Sequence, residues 1–172
     1  TEFKGGEKAQ DAYNLNLYHT INKERQSVVG IQKSELKYQD FMWYLNEQDA
    51  HDNKIVFDKK LKNFSIDNIV MSHENQKIAL GGTLKENKTK DLRLSFQDVH
   101  LDNLLPALEK FTIKGNLDGV VNLKQENAIY QPTAAVKIDS LQLNSVALGT
   151  LNLDIKGDDS FRTFYLPSTT AH

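Results

Sequence analysis

Apolar and polar residues alternate over the stretch from Phe111 to Leu123. Its odd positions are apolar or glycine, and its even positions are polar apart from Val120. A period of two is typical of a β-strand that buries one face, because successive side chains point to opposite faces. The apolar face of the predicted strand consists of Phe111, Ile113, Gly115, Leu117, Gly119, Val121 and Leu123.

The alternation returns after Pro132, where the sequence indicates a break between strands. Beyond this break, one parity carries apolar residues as far as Ile155. These residues are Leu141, Leu143, Leu151, Leu153 and Ile155. Ordinary strands run about five or six residues. Patterning that persists over this distance therefore predicts unusually long strands.

Shorter segments upstream show the same period, separated by polar turns such as residues 22–25 and 86–91. Residues 13–21 and 78–84 alternate clearly. Residues 34–47 carry a heavy aromatic load, which favours strand over helix. The sequence thus predicts strands along nearly its whole length.

The parity of the apolar positions switches twice in these upstream segments. Phe64 and Ile66 share one parity, whereas Ile69 and Met71 have the other. One extra residue in a strand moves the following side chains to the opposite face. The switch predicts a bulge or bend near Asp67 and Asn68, and a second phase shift lies near Asp98.

These patterns predict an all-β fold of about ten to twelve antiparallel strands joined by tight turns. The best candidate for a helical turn is the segment 102–111, where Asp102 can cap free N–H groups and Pro106 is tolerated near a helix start. Long strands repeated along the chain favour an elongated sheet, curled into a groove, over a jelly roll or closed barrel. Whether the apolar face lines an open groove or packs against a second sheet stays open at this point.

Composition narrows the class of function. The chain of 172 residues suits a single β domain over 1–172, and we expect residues 1–11 and 167–172 to be flexible or of vector origin. Acidic and basic residues are intermixed and give a net charge of −2, which argues against a nucleic-acid partner. The absence of cysteine excludes disulfides and thiolate metal sites, and fits a reducing compartment or a bacterial envelope. The apolar runs are too short to cross a bilayer.

No catalytic, cofactor or metal signature stands out, so we do not expect an enzyme. No histidine lies at ligand spacing from another, and a single histidine such as His19 on an apolar face is typical of a core residue. Asp49, Asp52 and Asp58 lack the glycine and terminal glutamate of a calcium loop, which favours a solvated loop. Nucleotide-binding and nucleophile motifs are absent, and Gly81-Gly82 inside a strand pattern indicates a bulge or a close backbone approach.

An aromatic cluster leaves one binding alternative open. Tyr38, Phe41, Trp43 and Tyr44 are the residue types that stack on sugars, which would make the chain a carbohydrate- or peptide-binding β-sandwich module. Core aromatic residues of a packed strand explain the same pattern. A buried Trp43 would count against sugar stacking.

The segment VHLDNLLPALEKFTIKGNLDGVVNLKQ, residues 99–125, resembles the TamB family of bacterial envelope proteins. Repeats of that family carry a leucine, an LLP triplet, a spacer and then I-x-G-x-L-x-G-x-V-x-L. Those positions here are Leu101, Leu104, Leu105, Pro106, Ile113, Gly115, Leu117, Gly119, Val121 and Leu123. The following element of the family is matched by Pro132, Val136, Ile138, Leu141, Leu143, Asn144, Leu148 and Gly149. The resemblance covers about residues 30–157, and the upstream part is similar to the branch found in Bacteroidetes-type bacteria.

The resemblance implies a periplasmic protein of a Gram-negative bacterium, anchored in the inner membrane by a segment outside this sequence. Family members are similar to AsmA-like bridge proteins and fold as a long curled sheet with an apolar inner face, a β-taco. They are implicated in phospholipid transport between the two membranes and in assembly of outer-membrane proteins, with a BamA-like barrel as partner. The family carries no catalytic residues, and its members are many times longer than this chain.

A groove of this kind needs apolar area but no specific contacts, because burying acyl chains contributes about 25 cal/mol per Å². The resemblance implies phospholipid acyl chains as partners, and an apolar groove can hold them. Glycines on the inward parity, Gly82, Gly115, Gly119 and Gly149, are expected to relieve crowding and allow curvature. The candidate lining consists of Ile78, Leu80, Leu84, Leu92, Leu94, Phe96, Phe111, Ile113, Leu117, Val121, Leu123, Leu141, Leu143, Leu151, Leu153 and Ile155.

Overall fold

The computed structural model describes residues 2–5, 11–38, 41–86, 88–104, 111–127 and 129–156. Within them, one sheet of thirteen strands and one short helix make an all-β fold. The elements are β1 (Glu2–Gly5), β2 (Asp11–Asn14), β3 (Leu17–Ile21), β4 (Ser27–Ile31), β5 (Ser34–Tyr38), β6 (Phe41–Leu45), β7 (Lys54–Phe57), β8 (Asn63–His73), β9 (Gln76–Lys85), β10 (Thr89–His100), α1 (Leu101–Leu104), β11 (Ile113–Glu126), β12 (Ile129–Leu143) and β13 (Val146–Lys156). The C-terminal residues 167–172, predicted to be flexible, lie outside the described residues.

The strands form an up-and-down antiparallel meander. From β8 to β13 each strand pairs with the next one along the chain. Before β8, each of three adjacent strand positions in the sheet is occupied by two short strands placed end to end. These pairs are β2 and β3, then β5 and β4, then β6 and β7. Both β6 and β7 pair with β8, one near each end of it. The sheet is curled and not closed, as the length and repetition of the apolar patterning predicted.

Two buried asparagines fill the gap between β6 and β7. Asn46 and Asn53 are each only 3% exposed. The Asn46 Nδ2 donates to the carbonyl oxygens of Ile31 and Ala50 at 2.7 and 2.8 Å, and the Val70 N–H donates to the Asn53 Oδ1 at 2.8 Å. Buried backbone groups need partners, and here side-chain amides supply those that the divided strands cannot.

The predicted changes of parity are β-bulges. Pairing between β8 and β9 shifts between Ile66 and Ile69, and pairing between β10 and β11 shifts between Phe96 and Val99. Asn68 and Asp98 have positive φ values of 41° and 47° at these sites, a conformation that Asn and Asp adopt more readily than most residues. A third bulge in β12, at Ser140 with φ 53°, was not predicted.

Two local predictions need correction. Pro132 does not break a strand, because β12 runs without interruption from Ile129 to Leu143. The pairing of β12 with β13 begins at Thr133, so no described residue of β13 is paired with Pro132. The N–H that proline lacks is therefore not required by the described part of β13. The helical turn begins one residue earlier than predicted and is described as Leu101–Leu104, and residues 105–110 of the predicted segment lie outside the described residues.

The four glycines predicted to permit curvature all have positive φ values. At Gly82, with φ 134°, an added Cβ would lie 2.0 Å from the Asp91 carbonyl oxygen of the neighbouring strand. At Gly119, with φ 137°, it would lie 2.2 Å from the Ala135 carbonyl oxygen. Only glycine combines this backbone conformation with so close an approach of the next strand. Of the Gly81-Gly82 pair, Gly82 therefore makes the predicted close approach, whereas an added Cβ at Gly81 would lie 3.6 Å from its nearest neighbour.

Adjacent glycines of β9 provide a matched test of this requirement. We expect Gly82→Ala to lower the free energy of unfolding by roughly 1–3 kcal/mol or more, because it adds backbone strain to a collision with Asp91. Gly81 has no positive φ, and its added Cβ would lie 3.6 Å from the nearest atom, so Gly81→Ala should stay within about 1 kcal/mol of wild type. Urea denaturation followed by circular dichroism measures both. Equal losses in the two variants would contradict the account.

Candidate functional site

Cross-strand pairing aligns apolar side chains into rows that run across the sheet. Residues directly opposite one another in an antiparallel pair point to the same face. One row consists of Ile69, Leu80, Leu94, Val121, Ala134 and Ile155. The next consists of Met71, Ile78, Phe96, Gly119, Val136 and Leu153. We call the face that carries these rows the apolar face.

The structure brings the predicted lining residues of β9 to β13 together on this face. Most of them are half-buried, neither enclosed in a core nor fully open to solvent. These are Ile78, Leu80, Leu84, Leu92, Leu94, Phe96, Ile113, Leu117, Val121, Leu123, Leu141, Leu151, Leu153 and Ile155. Leu143 lies at one end of the rows and is 37% exposed, and Phe111 lies just before β11 and is 51% exposed.

No second sheet layer covers the apolar face within the described parts of the chain. All the described strands belong to one sheet, in which the extensive contacts of each strand are with its hydrogen-bonded neighbours, and α1 contacts β10 and β11. Only five apolar residues there are buried, namely Val28, Trp43, Val99, Leu101 and Ala134. The half-burial of the rows therefore comes from side chains of neighbouring strands that crowd one another on a curled single layer.

The apolar face is wider than the sequence predicted. The earlier strands contribute Leu45, Ile55, Phe57, Phe64, Ile66, Ile69 and Met71. Val136 and Ile138 of β12 also belong to it, opposite Leu153 and Leu151. Val136 and Ile138 were not predicted because they have even numbers, whereas the apolar positions after the Ser140 bulge have odd numbers. The apolar residues on both sides of Ser140 were the available signal.

The aromatic residues do not form one platform. Trp43 is 3% exposed, and its ring makes an edge contact with Phe41 at a centroid distance of 5.4 Å and lies 6.5 Å from His73. Tyr44, its neighbour in β6, points to the opposite face, where the Lys33 ammonium lies 5.5 Å from its ring centre. The buried Trp43 counts against sugar stacking. His19, expected in a core, is exposed on β3.

The opposite face of the sheet is polar and carries shallow open depressions, of which we describe two. One of 420 Å³ is lined by Asn68, Thr83, Asp91, Arg93 and Ser95 together with Ala79 and the glycines of β9. The other, of 370 Å³, lies beside Gly119. Nearby, Asp139 accepts hydrogen bonds from Lys137 at 2.6 Å and Thr150 at 3.0 Å, which hold the pKa of its carboxyl below the usual value. Lys137 and Asp139 thus neutralise each other's charge on a solvated surface.

The acidic residues of the 49–58 region serve as local hydrogen-bond acceptors. Asp52 accepts from Asn68 at 3.0 Å, and Asp58 accepts from the Lys62 N–H at 2.9 Å and from Asn63 at 2.6 Å. The hydrogen bond from Asn68 lowers the pKa of Asp52, and the one from the Lys62 N–H lowers the pKa of Asp58. Across the described ranges, no group of three or more His, Asp or Glu side chains is placed to hold a metal ion.

Comparisons with known proteins return no relative. No protein-family model, curated protein or solved structure matches this chain. In the part of the chain that the structure describes, no helix is long and apolar enough to cross a membrane.

The lowered pKa of Asp58 predicts how acid affects the β7–β8 turn. Because the folded pKa lies below the ordinary 3.8, the contribution of this carboxylate to stability is complete above that pH and disappears as the pH falls through the folded value. We expect Asp58→Asn to be less stable than wild type at pH 7, and the two to converge on acidification below pH 3.8.

Urea denaturation at several pH values measures this difference. Glu35→Gln, at an exposed position of β5, controls for a general change in net charge. A difference between wild type and Asp58→Asn that is independent of pH would contradict the assignment.

Proposed function

We propose that this chain is a non-enzymatic segment of a periplasmic envelope protein, whose apolar face holds phospholipid acyl chains during transport between the inner and outer membranes. One observation carries the proposal. The apolar rows run without interruption from β8 to β13 on one sheet, and of their described residues only Ala134 is buried.

Contact of such an apolar surface with water is unfavourable in free energy. Soluble proteins seldom leave a large contiguous apolar patch without a partner. Acyl chains can remove this surface from water without specific contacts, and each buried methylene contributes about 0.8 kcal/mol. The half-buried leucines, valines and isoleucines of the rows offer branched apolar side chains without formal charge along the whole width of β9 to β13.

The resemblance to the TamB family supports the cellular setting. The inward glycines of the family motif, Gly115 and Gly119, have positive φ in this chain, so the motif places glycine where the backbone favours it. The periplasm of a Gram-negative bacterium as the location, and an inner-membrane anchor elsewhere in a longer protein, follow from that resemblance alone. A BamA-like barrel as partner rests on the same basis.

Assistance in outer-membrane protein assembly is a second candidate, supported by the edge of the sheet. β13 has eleven residues, and only β12 pairs with it among the described residues. Its Val146 and Leu148 are 60% and 52% exposed. A long edge strand with free backbone groups is a template for strand addition by an unfolded client.

Site-specific photo-crosslinking tests the lipid proposal. A photoreactive amino acid at Leu117, Leu143 or Leu153 should form adducts with phospholipid when the chain is produced in the envelope of a Gram-negative host. The same amino acid at Asn116 or Asn152, the next residue on the opposite face, should not. Mass spectrometry of the purified protein detects the adducts. Adducts with protein alone at all positions, or equal lipid capture on both faces, would remove the support for a lipid path.

Proline substitution along β13 separates the two candidates. Proline at positions whose N–H points away from β12 should abolish binding of a purified BamA-like barrel protein, because strand addition needs those N–H groups. Lipid crosslinking at Leu117 should persist in the same variants, and alanine at the same positions is the control. Loss of lipid capture with retained barrel binding would favour the reverse assignment.

A further inference from the structure

The apolar face ends in a polar site at one rim. The row next to Leu92 and Leu123 contains Lys90, Gln125 and Tyr130, which are direct partners on β10, β11 and β12. Lys90 and Gln125 stand two residues from Leu92 and Leu123, so they share the apolar face. On the other side of Lys90 the row continues with Leu84 and Phe64. The three polar residues, which we call the rim site, therefore border apolar surface on two sides.

The side chains of the rim site form a bridge. The Lys90 ammonium lies 5.4 Å from the centre of the Tyr130 ring. These residues belong to strands that are separated by β11, so their backbones are about 10 Å apart and the contact passes over Gln125. This explains why Gln125 is only 4% exposed although it lies near the end of its strand.

Gln125 is an anomaly in this position. Its Oε1 is buried and has no hydrogen-bond partner. A buried acceptor without a donor costs free energy, so such a group calls for an explanation. Lys90 likewise has no carboxylate within ion-pair distance in the described ranges, and a contact with an aromatic face is a weak substitute for a full ion pair. The rim site thus offers one cation and one unused acceptor, side by side.

The dimensions beside the rim site suit an acyl chain. From Leu123 to Leu117 the apolar face extends over six residues of β11, which is roughly 20 Å at about 3.3 Å per residue. The hydrocarbon core of a bilayer is about 30 Å thick, so one acyl chain spans about half of that. A lipid with its headgroup at the rim site can lay its chains along the strands.

We propose that the rim site binds the headgroup of a phospholipid whose headgroup also carries a hydrogen-bond donor, such as phosphatidylethanolamine. The phosphate draws the Lys90 ammonium away from the Tyr130 ring and pairs with it. The opened bridge exposes the Gln125 Oε1, which accepts a hydrogen bond from the headgroup ammonium or hydroxyl. This inference rests on the proposed function and adds to it an orientation of the bound lipid. The headgroup lies at this rim, and the acyl chains are directed toward Leu117.

Short-chain soluble lipids test the proposal by calorimetric titration of the whole chain. Dioctanoyl phosphatidylethanolamine, dioctanoyl phosphatidylcholine and dioctanoylglycerol share their acyl chains and differ in headgroup. Wild type should bind them in that order of affinity. Phosphatidylcholine has a phosphate but no donor, and dioctanoylglycerol has only a neutral hydroxyl, whose hydrogen bond is weaker than the charge-assisted pairing of a phosphate with Lys90. Each step should amount to about fivefold to tenfold, the range of one charge-assisted or neutral hydrogen bond at a partly solvated site.

Single variants assign each step to a residue. Lys90→Gln should remove the advantage of phosphatidylcholine over dioctanoylglycerol, and Lys90→Arg should keep it. Gln125→Leu should make the two phospholipids equal while both remain tighter than dioctanoylglycerol. Arg93→Gln, on the opposite face of β10, is the matched control and should leave all three affinities unchanged. Circular dichroism confirms that each variant is folded.

The outcomes separate this inference from the proposed function. Equal affinity of wild type for the three lipids, or an unchanged order in Lys90→Gln and Gln125→Leu, overturns the rim site and leaves the acyl-chain groove standing. Absence of binding for all three lipids overturns the groove and the rim site together.

Discussion

The structure depends on one constraint, which is that antiparallel pairing must keep the apolar rows on the same face while the sheet curls. A one-residue slip would transfer the apolar residues of a strand to the polar face. The chain meets the constraint with two devices. Bulges at Asn68, Asp98 and Ser140 reset the parity wherever the strand gains a residue, and glycines such as Gly82 and Gly119 let neighbouring backbones approach closely. The rows of the apolar face are the product of both.

A single layer changes where stability comes from. Few apolar residues are buried, so the fold relies on strand-to-strand ladders, on crowding along the rows and on buried polar links such as Asn46 and Asn53. Each strand then depends on its neighbours, much as a repeat does in a solenoid. On the proposed function, a bound lipid would also stabilise the sheet, because any ligand that binds only the folded state shifts the unfolding equilibrium.

The sequence predicted those features that depend on periodicity. The all-β class, the meander, the common face of the apolar residues from Ile78 to Ile155 and the four inward glycines all follow from which residues share a parity. It failed where local backbone geometry decides. Serine is not a residue type that marks a left-handed bulge, so the switch of parity at Ser140 was not recognised, and Val136 and Ile138 were left out of the predicted face. Pro132 was taken for a break because its tolerance inside β12 depends on which residues of β13 pair beside it. The rim site was also hidden, because Lys90 and Gln125 meet only through the register of two strands.

The central claim is that the apolar face is open and takes up acyl chains. Because the chain has no cysteine, single cysteines at successive positions of β11 can carry nitroxide labels without background. Collision with oxygen and with a water-soluble nickel chelate, measured by electron paramagnetic resonance, reports the surroundings of each label. On adding phospholipid, labels at Leu117, Val121 and Leu123 should gain access to oxygen and lose access to nickel, while those at Asn116, Asn122 and Lys124 stay unchanged. A response without this period of two, or none at all, would contradict the account.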